Sequence, residues 1–276
     1  MELRLTYRRI PNMGDMLNIP IMKEIFSYDV KYSTKSSVLL AIGSGLGSLV
    51  AEQNAKSFYK LLYKPFLPKV HIWGTGFMNY SNSRKFFVVR RMEVAALRGR
   101  LSKERVERAL NRELSCPLSD GGILASCLLK EEEEKRYKIG VIPHFRERHN
   151  PLFKKLADSY KDSLLIDVTQ DPHVVIRQIA QCESIISTSL HGLILSDSLG
   201  VPNVHAVYSG LVKGDGFKFD DYYSGYGMEH QYIRLRDNDT PQIYDIVNNY
   251  AISHDQVEQK KREMINAFPF PHQFKY

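Results

Sequence analysis

The chain has 276 residues, of which 43% are hydrophobic and 25% are charged, a balance typical of a globular protein with one large domain or two medium ones. No run approaches the roughly 18 unbroken apolar residues of a membrane-spanning helix. The charged N-terminal segment also lacks the apolar centre of a signal peptide, so we expect a cytoplasmic protein. The formal net charge of +7 predicts attraction to anionic metabolites, nucleotides or an anionic membrane surface.

Basic residues are concentrated in one part of the chain. Between residues 81 and 112 stand ten lysines and arginines against three glutamates, an excess as large as the net charge of the whole chain. Few aromatic side chains are interleaved with these charges, so nucleic acid is not expected as a partner. Any membrane association is expected to be peripheral and electrostatic, at the inner membrane surface.

The first half of the chain alternates short apolar runs with helical patterns. Its predicted strands lie at residues 3–6, 38–42, 70–73 and within 87–97. A helical stretch is predicted to run to about Phe26, and another helix from an N-cap at Ser102 through Leu110. Several strands end in glycine or small polar residues, most clearly at 43–48, where the sequence is Gly-Ser-Gly-Leu-Gly-Ser.

The alternation restarts after a charge run at residues 131–136, which indicates a solvated linker. The predicted strands of this half lie at residues 139–142, 164–168, 184–188 and 204–208. Asp171 is expected to cap a helix that ends at Ala180, and another helix is expected from about His191 to Gly200.

Strands and helices that alternate at this spacing predict an α/β fold with parallel sheets and helices on both faces. The restart predicts two such domains with a cleft between them. A last helix carries a narrow apolar face, which suits packing against another domain. The expected divisions are residues 1–134, 135–250 and 251–276, with the last segment packing back on the first domain.

Ligands of open parallel sheets bind beyond the carboxyl ends of the strands. The glycine run at 43–48 allows backbone N–H groups to approach an anion, although it matches neither the dinucleotide-binding nor the ATP-binding glycine motif. His191 follows a strand end and opens a helix, where the positive end of the helix dipole favours a neutral ring unless an anion binds nearby. An anionic substrate could then make it a general acid, and the alternative is a histidine that only caps the helix.

The segment 184–202 resembles the signature of polysaccharide pyruvyl transferases: a serine-rich strand end, then Leu-His-Gly, then a helix ending in Gly-Val-Pro. Further segments resemble motifs of the same family in the same order. They are residues 12–15, 42–45, 73–77, 97–102, 119–122, 139–144 and 217–222.

The resemblance implies two Rossmann-like domains in a glycosyltransferase-B-like arrangement. It implies phosphoenolpyruvate as donor and a sugar or lipid-linked oligosaccharide as acceptor, with pyruvate transferred as a ketal in exopolysaccharide or capsule biosynthesis. No cofactor is expected beside the donor substrate. The sequence itself shows no metal-binding cluster, because Asp15, Asp120 and Asp221 are too dispersed to form one. His191 takes the place of the catalytic histidine. The residues expected to bind substrate are Asn12, Asp15, Ser44, Gly45, Thr75, Arg98, His144, Ser189, Leu190 and Lys218.

One departure from the family pattern concerns Ser189. Many members have arginine at this position, so a cation that could hold the donor is missing from the strand end. Arg146, Arg148 and Lys213 are the candidates to replace it. Two alternatives stay open: a nucleotide-sugar glycosyltransferase of the same architecture, and a non-catalytic polysaccharide assembly protein.

Overall fold

A computed structural model describes residues 1–53, 66–212, 214, 216–237, 239–274 and 276. Within them lie two five-stranded parallel sheets and one two-stranded antiparallel ribbon. The prediction of an α/β fold with parallel sheets is confirmed. The domain divisions and the glycosyltransferase-B-like arrangement remain predictions.

The first sheet has the strand order β2-β1-β3-β5-β7. Its strands are β1 (Glu2–Leu5), β2 (Asp29–Tyr32), β3 (Leu39–Leu40), β5 (Val70–Trp73) and β7 (Met92–Ala96). The antiparallel ribbon pairs β4 (Val50–Glu52) with β6 (Phe86–Val88). The strand predicted at 38–42 is shorter than expected, because β3 covers only Leu39 and Leu40. The chain then turns at Gly43, whose φ of 109° is a conformation that favours glycine.

The helices of the first half differ from the predicted ones in two respects. They are α1 (Met13–Met16), α2 (Asn18–Pro20), a π-helix (Ile21–Ile25), a 3-10 turn (Leu46–Ser48), α3 (Arg100–Leu110) and a 3-10 helix (Gly121–Leu128). The single stretch predicted up to Phe26 is divided, because Pro20 has no N–H to continue the α-helical pattern. Ser102 is not the N-cap of α3; Gly99 holds that position, and Ser102 lies inside the first turn.

The second sheet has the order β12-β11-β10-β8-β9. Its strands are β8 (Ile139–Ile142), β9 (Ser163–Leu165), β10 (Ile185–Ser187), β11 (Asn203–Val207) and β12 (Ile233–Arg234). Its helices are α4 (Pro151–Asp158), α5 (Pro172–Ala180), α6 (Leu190–Ser198), α7 (Phe217–Ser224) and α8 (Ile243–Asn249). The predicted cap of α5 is confirmed, because the Asp171 carboxylate accepts a hydrogen bond from the N–H of His173 at 2.9 Å.

The last helix, α9 (His254–Asn266), packs on the first half of the chain. The indole N–H of Trp73 donates to the carbonyl of Met264 at 2.9 Å, and Phe268 stacks on Phe26 with 3.7 Å between ring centroids. One continuous apolar cluster contains residues of both sheets, including Leu3 and Ile142. Among the described residues, no helix combines the length and apolar character needed to cross a membrane.

Candidate functional site

A cavity of about 810 Å³ lies where strand ends of the two sheets meet. The loops that follow β1 and β3 line one side, and the loops that follow β8 and β10 line the other, together with the first turn of α7. This is the position that open parallel sheets provide for ligands. Predicted site residues that line the cavity are Asn12, Asp15, Ser44, Gly45, His144, Ser189, Leu190, His191 and Lys218.

His191 lies in the first turn of α6, after Ser189, the N-cap residue. Its side chain is 12% exposed. The ring packs on Gly14 so closely that a Cβ on this glycine would collide with Nδ1 of the imidazole. Burial lowers the pKa of His191 to about 3, and the charges of Lys218 and Arg98 contribute to the shift. The ring is therefore neutral at physiological pH.

Asp120 lies beside His191 and is completely buried. Its Oδ1 accepts a hydrogen bond from the N–H of Gly122 at 2.9 Å and lies 3.9 Å from Nε2 of His191. Burial raises the pKa of this carboxyl to about 6. The sequence does not predict this pairing, because the two residues lie in different motifs and no local pattern relates them.

The cavity is rich in cations. Lys218, Arg8, Arg9 and Arg146 line it, and Asp15 is the one carboxylate among the described lining residues. Burial lowers the pKa of Lys218 to about 8, with further lowering by Arg98 and Arg8. Arg8 and Arg9 were missed by the sequence analysis, although they follow β1 and the strand-end rule would have found them. The arrangement favours an anionic ligand.

Of the three cations proposed to replace the missing arginine, Arg146 lines the cavity. Arg148 does not line it and donates to the carbonyl of Phe145 at 2.6 Å. Lys213 lies outside the described residues. Since β8 and β10 are neighbours in the sheet, Arg146 approaches the cavity from the strand end next to that of Ser189.

Arg98 does not line the cavity and is completely buried. Its Nε donates to Oδ2 of Asp221 at 2.9 Å, and another guanidinium nitrogen donates to the hydroxyl of Ser44 at 2.8 Å. Thr75 is also buried: its hydroxyl donates to the carbonyl of Gly43 and accepts from the N–H of Gly45. Arg98 and Thr75 were predicted to bind substrate, but they contact the glycine loop and do not line the cavity. Their role in ligand binding is therefore to hold this loop in place.

The remaining predicted residues are held by local contacts. The amide of Asn12 donates to Oδ2 of Asp15 at 2.8 Å, and burial raises the pKa of Asp15. The N–H of His144 donates to the hydroxyl of Thr188, which donates to the buried Glu147. Burial lowers the pKa of His144 to about 3. Among the described residues, no group of three or more His, Cys, Asp or Glu side chains is placed to hold a metal ion.

A parallel α/β fold with a cation-rich cavity and a largely buried histidine at its strand ends has the charge that suits an anionic ligand. The family model of polysaccharide pyruvyl transferase matches residues 5–210, and the chain belongs to this family. The resemblance identified from the sequence is confirmed, and the family indicates a transferase. The match ends before α7, which carries Lys218.

The chain is also similar to a viral protein. It is 31% identical over 207 residues to "Uncharacterized protein L143" of Acanthamoeba polyphaga mimivirus, and the alignment covers 71% of this chain and 70% of that protein. This similarity extends over most of both chains and agrees with a shared fold.

Proposed function

We propose that the protein transfers pyruvate from phosphoenolpyruvate to two hydroxyl groups of a saccharide, forming a ketal. The observation that carries this proposal is the cavity in which a buried histidine stands among four cations and one carboxylate. Phosphoenolpyruvate carries a phosphate and a carboxylate, so both of its anionic groups need cationic partners. Family membership supports pyruvyl transfer as the reaction.

The donor would be held by charges from both sheets. Lys218 and Arg146 reach the cavity from the second half of the chain, and Arg8 from the first. Arg146 would then take the role of the arginine that many family members carry before the Leu-His-Gly motif. The hydroxyl of Ser44 adds a neutral donor at the same wall, because it accepts from Arg98 and keeps its own proton for the ligand.

In the proposed reaction, His191 is the proton donor to the methylene carbon of phosphoenolpyruvate. Positive charge develops at the carbon that carries the phosphate oxygen, and one saccharide hydroxyl attacks it. The bond to phosphate then breaks, and the second hydroxyl closes the ketal. Of the two hydroxyl protons, one replaces the proton that His191 gave to the methylene carbon, and the other leaves with phosphate, so that protons balance. Positioning and charge stabilisation are the main contributions of the protein.

The acceptor and the cellular setting are part of the proposal. The family name supports a polysaccharide acceptor, and Asn12 and Asp15 offer hydrogen-bond partners for saccharide hydroxyls in the cavity. A lipid-linked intermediate of exopolysaccharide or capsule synthesis would be reached from the cytoplasm, with peripheral attachment to the inner membrane surface through the basic residues of the chain.

A second cavity bears on the glycosyltransferase alternative. It has about 780 Å³ and lies along β11, β12 and α8. Its charged lining residues among those described are Glu229, Asp239 and Asp245 against Arg234, with His205 neutral because burial lowers its pKa. The net negative charge of these lining residues does not suit a nucleoside diphosphate, so we favour pyruvyl transfer.

The test is phosphate release from phosphoenolpyruvate in the presence of lipid-linked oligosaccharide, with the product checked by mass spectrometry for a pyruvyl ketal. Wild-type protein should release phosphate only when acceptor is present. His191→Ala should lower the rate by about 100- to 10,000-fold. His149→Ala is the matched control, because this histidine is exposed and does not line the cavity. Release of a nucleoside diphosphate from nucleotide sugars, with no phosphate release, would favour the glycosyltransferase instead.

A further inference from the structure

His191 and Asp120 each leave a buried polar atom without a hydrogen-bond partner. Nε2 of His191 and Oδ2 of Asp120 are both buried, and neither has a hydrogen-bond partner among the described residues. The shortest distance between a ring nitrogen of His191 and a carboxylate oxygen of Asp120, from Nε2 to Oδ1, is 3.9 Å. Leaving a buried polar atom unpaired costs about 1–3 kcal/mol. Two such atoms on adjacent side chains therefore indicate a hydrogen bond that forms when a ligand closes the site, as catalytic hydrogen bonds often do.

The surrounding charges determine where a proton can reside on this pair. Lys218 on α7, Arg98 after β7 and His144 after β8 all oppose a positive charge on the His191 ring. Around Asp120, burial opposes the carboxylate most strongly and Asp221 also opposes it, whereas Arg98 and the N–H groups of Gly122 and Gly43 favour it. The pKa of Asp120 is raised to about 6 and that of His191 is lowered to about 3. At mildly acid pH the pair therefore holds one proton, on the carboxyl group, and the imidazole is neutral.

The two ring nitrogens of His191 have different surroundings. Nε2 is sealed from solvent beside Asp120. Nδ1 packs on Gly14, in the space that a Cβ would occupy, and unlike Nε2 it is not a fully buried atom. Nδ1 is therefore the nitrogen that can reach a ligand, and Nε2 is the nitrogen that can exchange a proton with Asp120.

We propose that Asp120 and His191 form a proton relay in which the buried carboxyl group of Asp120 supplies the proton that the neutral His191 ring passes to the donor substrate. This inference rests on the proposed function and deepens it. In one step, the O–H bond of Asp120 breaks and an N–H bond forms at Nε2. At the same time the Nδ1–H bond breaks and a C–H bond forms at the methylene carbon.

The relay keeps the ring neutral throughout, and only its tautomer inverts. Asp120 becomes a carboxylate that accepts a hydrogen bond from Nε2–H. The proton released by the attacking hydroxyl returns through Nδ1 and restores Asp120. No imidazolium is needed beside Lys218 and Arg98. This explains how a histidine with a strongly lowered pKa can act as a general acid.

The first test is NMR spectroscopy of the ¹⁵N-labelled full chain without substrate, with His191→Gln used to assign the ring signals. The relay predicts the Nδ1–H tautomer near pH 5 and a switch to the Nε2–H tautomer as Asp120 loses its proton near pH 6. The ring stays neutral across this range. A ring that carries the Nε2 proton at every pH, or that becomes an imidazolium with a midpoint near pH 6, overturns the relay.

The second test is the kinetics of Asp120→Asn, whose side chain keeps the shape of aspartate but has no acidic proton. We expect kcat to fall by about 100-fold or more while KM for phosphoenolpyruvate stays within about threefold. In wild type, kcat should fall as pH rises through the pKa of the pair, and this limb should be absent in the variant. A variant with unchanged kcat and the same pH profile contradicts the proposal.

The two tests separate the relay from the proposed function. The NMR measurement needs neither catalysis nor the Asp120→Asn variant, so it decides even if that variant does not fold. If wild type transfers no pyruvyl group but shows the tautomer switch, the proposed reaction fails while the proton pair stands. If wild type is active and the ring does not switch tautomer, the relay fails while the reaction stands.

Discussion

Replacing Asp221 by asparagine is expected to destabilise the protein strongly, although Asp221 does not line the cavity. Asp221 lies on α7 and receives hydrogen bonds from Arg98 at 2.9 Å and from the hydroxyl of Ser102 at 2.6 Å. Its Oδ1 also accepts from the N–H of Ser102 at 2.7 Å. The side chains of both charged partners are completely buried. An asparagine would leave the guanidinium charge buried without its counter-charge.

The size of the effect follows from this burial. Removing one partner of a buried ion pair costs about 3–5 kcal/mol, because the remaining charge cannot regain water. For a chain of this length, each kcal/mol corresponds to roughly 2–4 °C in Tm. Asp221→Asn should therefore lower Tm by roughly 6–20 °C. An exposed ion pair contributes only about 0–1 kcal/mol.

The assay is a thermal melt of four variants in the same buffer and at the same scan rate: Asp221→Asn, Arg98→Met, the two combined, and Glu183→Gln. Glu183→Gln is the control, because its ion pair with Lys138 is 2.6 Å long but largely exposed. Its Tm should change by about 4 °C or less. Arg98→Met combined with Asp221→Asn should lose less stability than the two single changes added together. An Asp221→Asn protein that melts as the control does would refute the reasoning.

Three further predictions concern the cavity. Lys218→Met should raise KM for phosphoenolpyruvate by roughly 10- to 100-fold, measured by initial rates, because a charge-assisted hydrogen bond contributes about 1.5–3 kcal/mol. Because the pKa of Lys218 is lowered to about 8, kcat/KM should fall more steeply above pH 8 than the loss of the Asp120 proton alone requires, and Lys218→Arg should lack this second limb. Gly14→Ala should remove most transfer by displacing the His191 ring, whereas Gly210→Ala, with open space around it, should not.

Each of these predictions has an outcome that contradicts it. An unchanged KM in Lys218→Met would place the donor away from α7. A pH profile that is the same for wild type and Lys218→Arg would assign the titration to another group. Equal rates for Gly14→Ala and Gly210→Ala, measured with the melting temperature of each, would show that the His191 ring does not need its observed position.

The sequence predicted the location of the site because strand ends are specified locally. A short apolar run followed by small polar residues defines the carboxyl end of a parallel strand, and these ends meet at one edge of a sheet. Ser44, His144 and Ser189 accordingly line one cavity. The same rule covers Arg8, which was not predicted because it lies outside the glycine and hydroxyl turns that mark the other strand ends.

The parts that could not be predicted depend on contacts between distant residues. Arg98 was expected to bind substrate, but a carboxylate 123 residues later in the chain holds it in the interior. No pattern near residue 98 in the sequence predicts that Asp221 is the partner of Arg98. The neighbourhood of Asp120 and His191 is likewise created only when the two sheets come together. Periodicity predicts elements, whereas the partner of a buried charge depends on how the elements pack.

The contact between Trp73 and the last helix gives the protein an intrinsic optical reporter. Trp73 is the single tryptophan of the chain, and its ring lies edge-on to Phe26 and Phe268, with 5.5 and 5.4 Å between centroids. Its fluorescence therefore comes from the contact between the first sheet and α9. Emission should shift to longer wavelength when α9 detaches, so a truncation or fusion that disturbs the C-terminal segment can be detected in the intact protein without any added label.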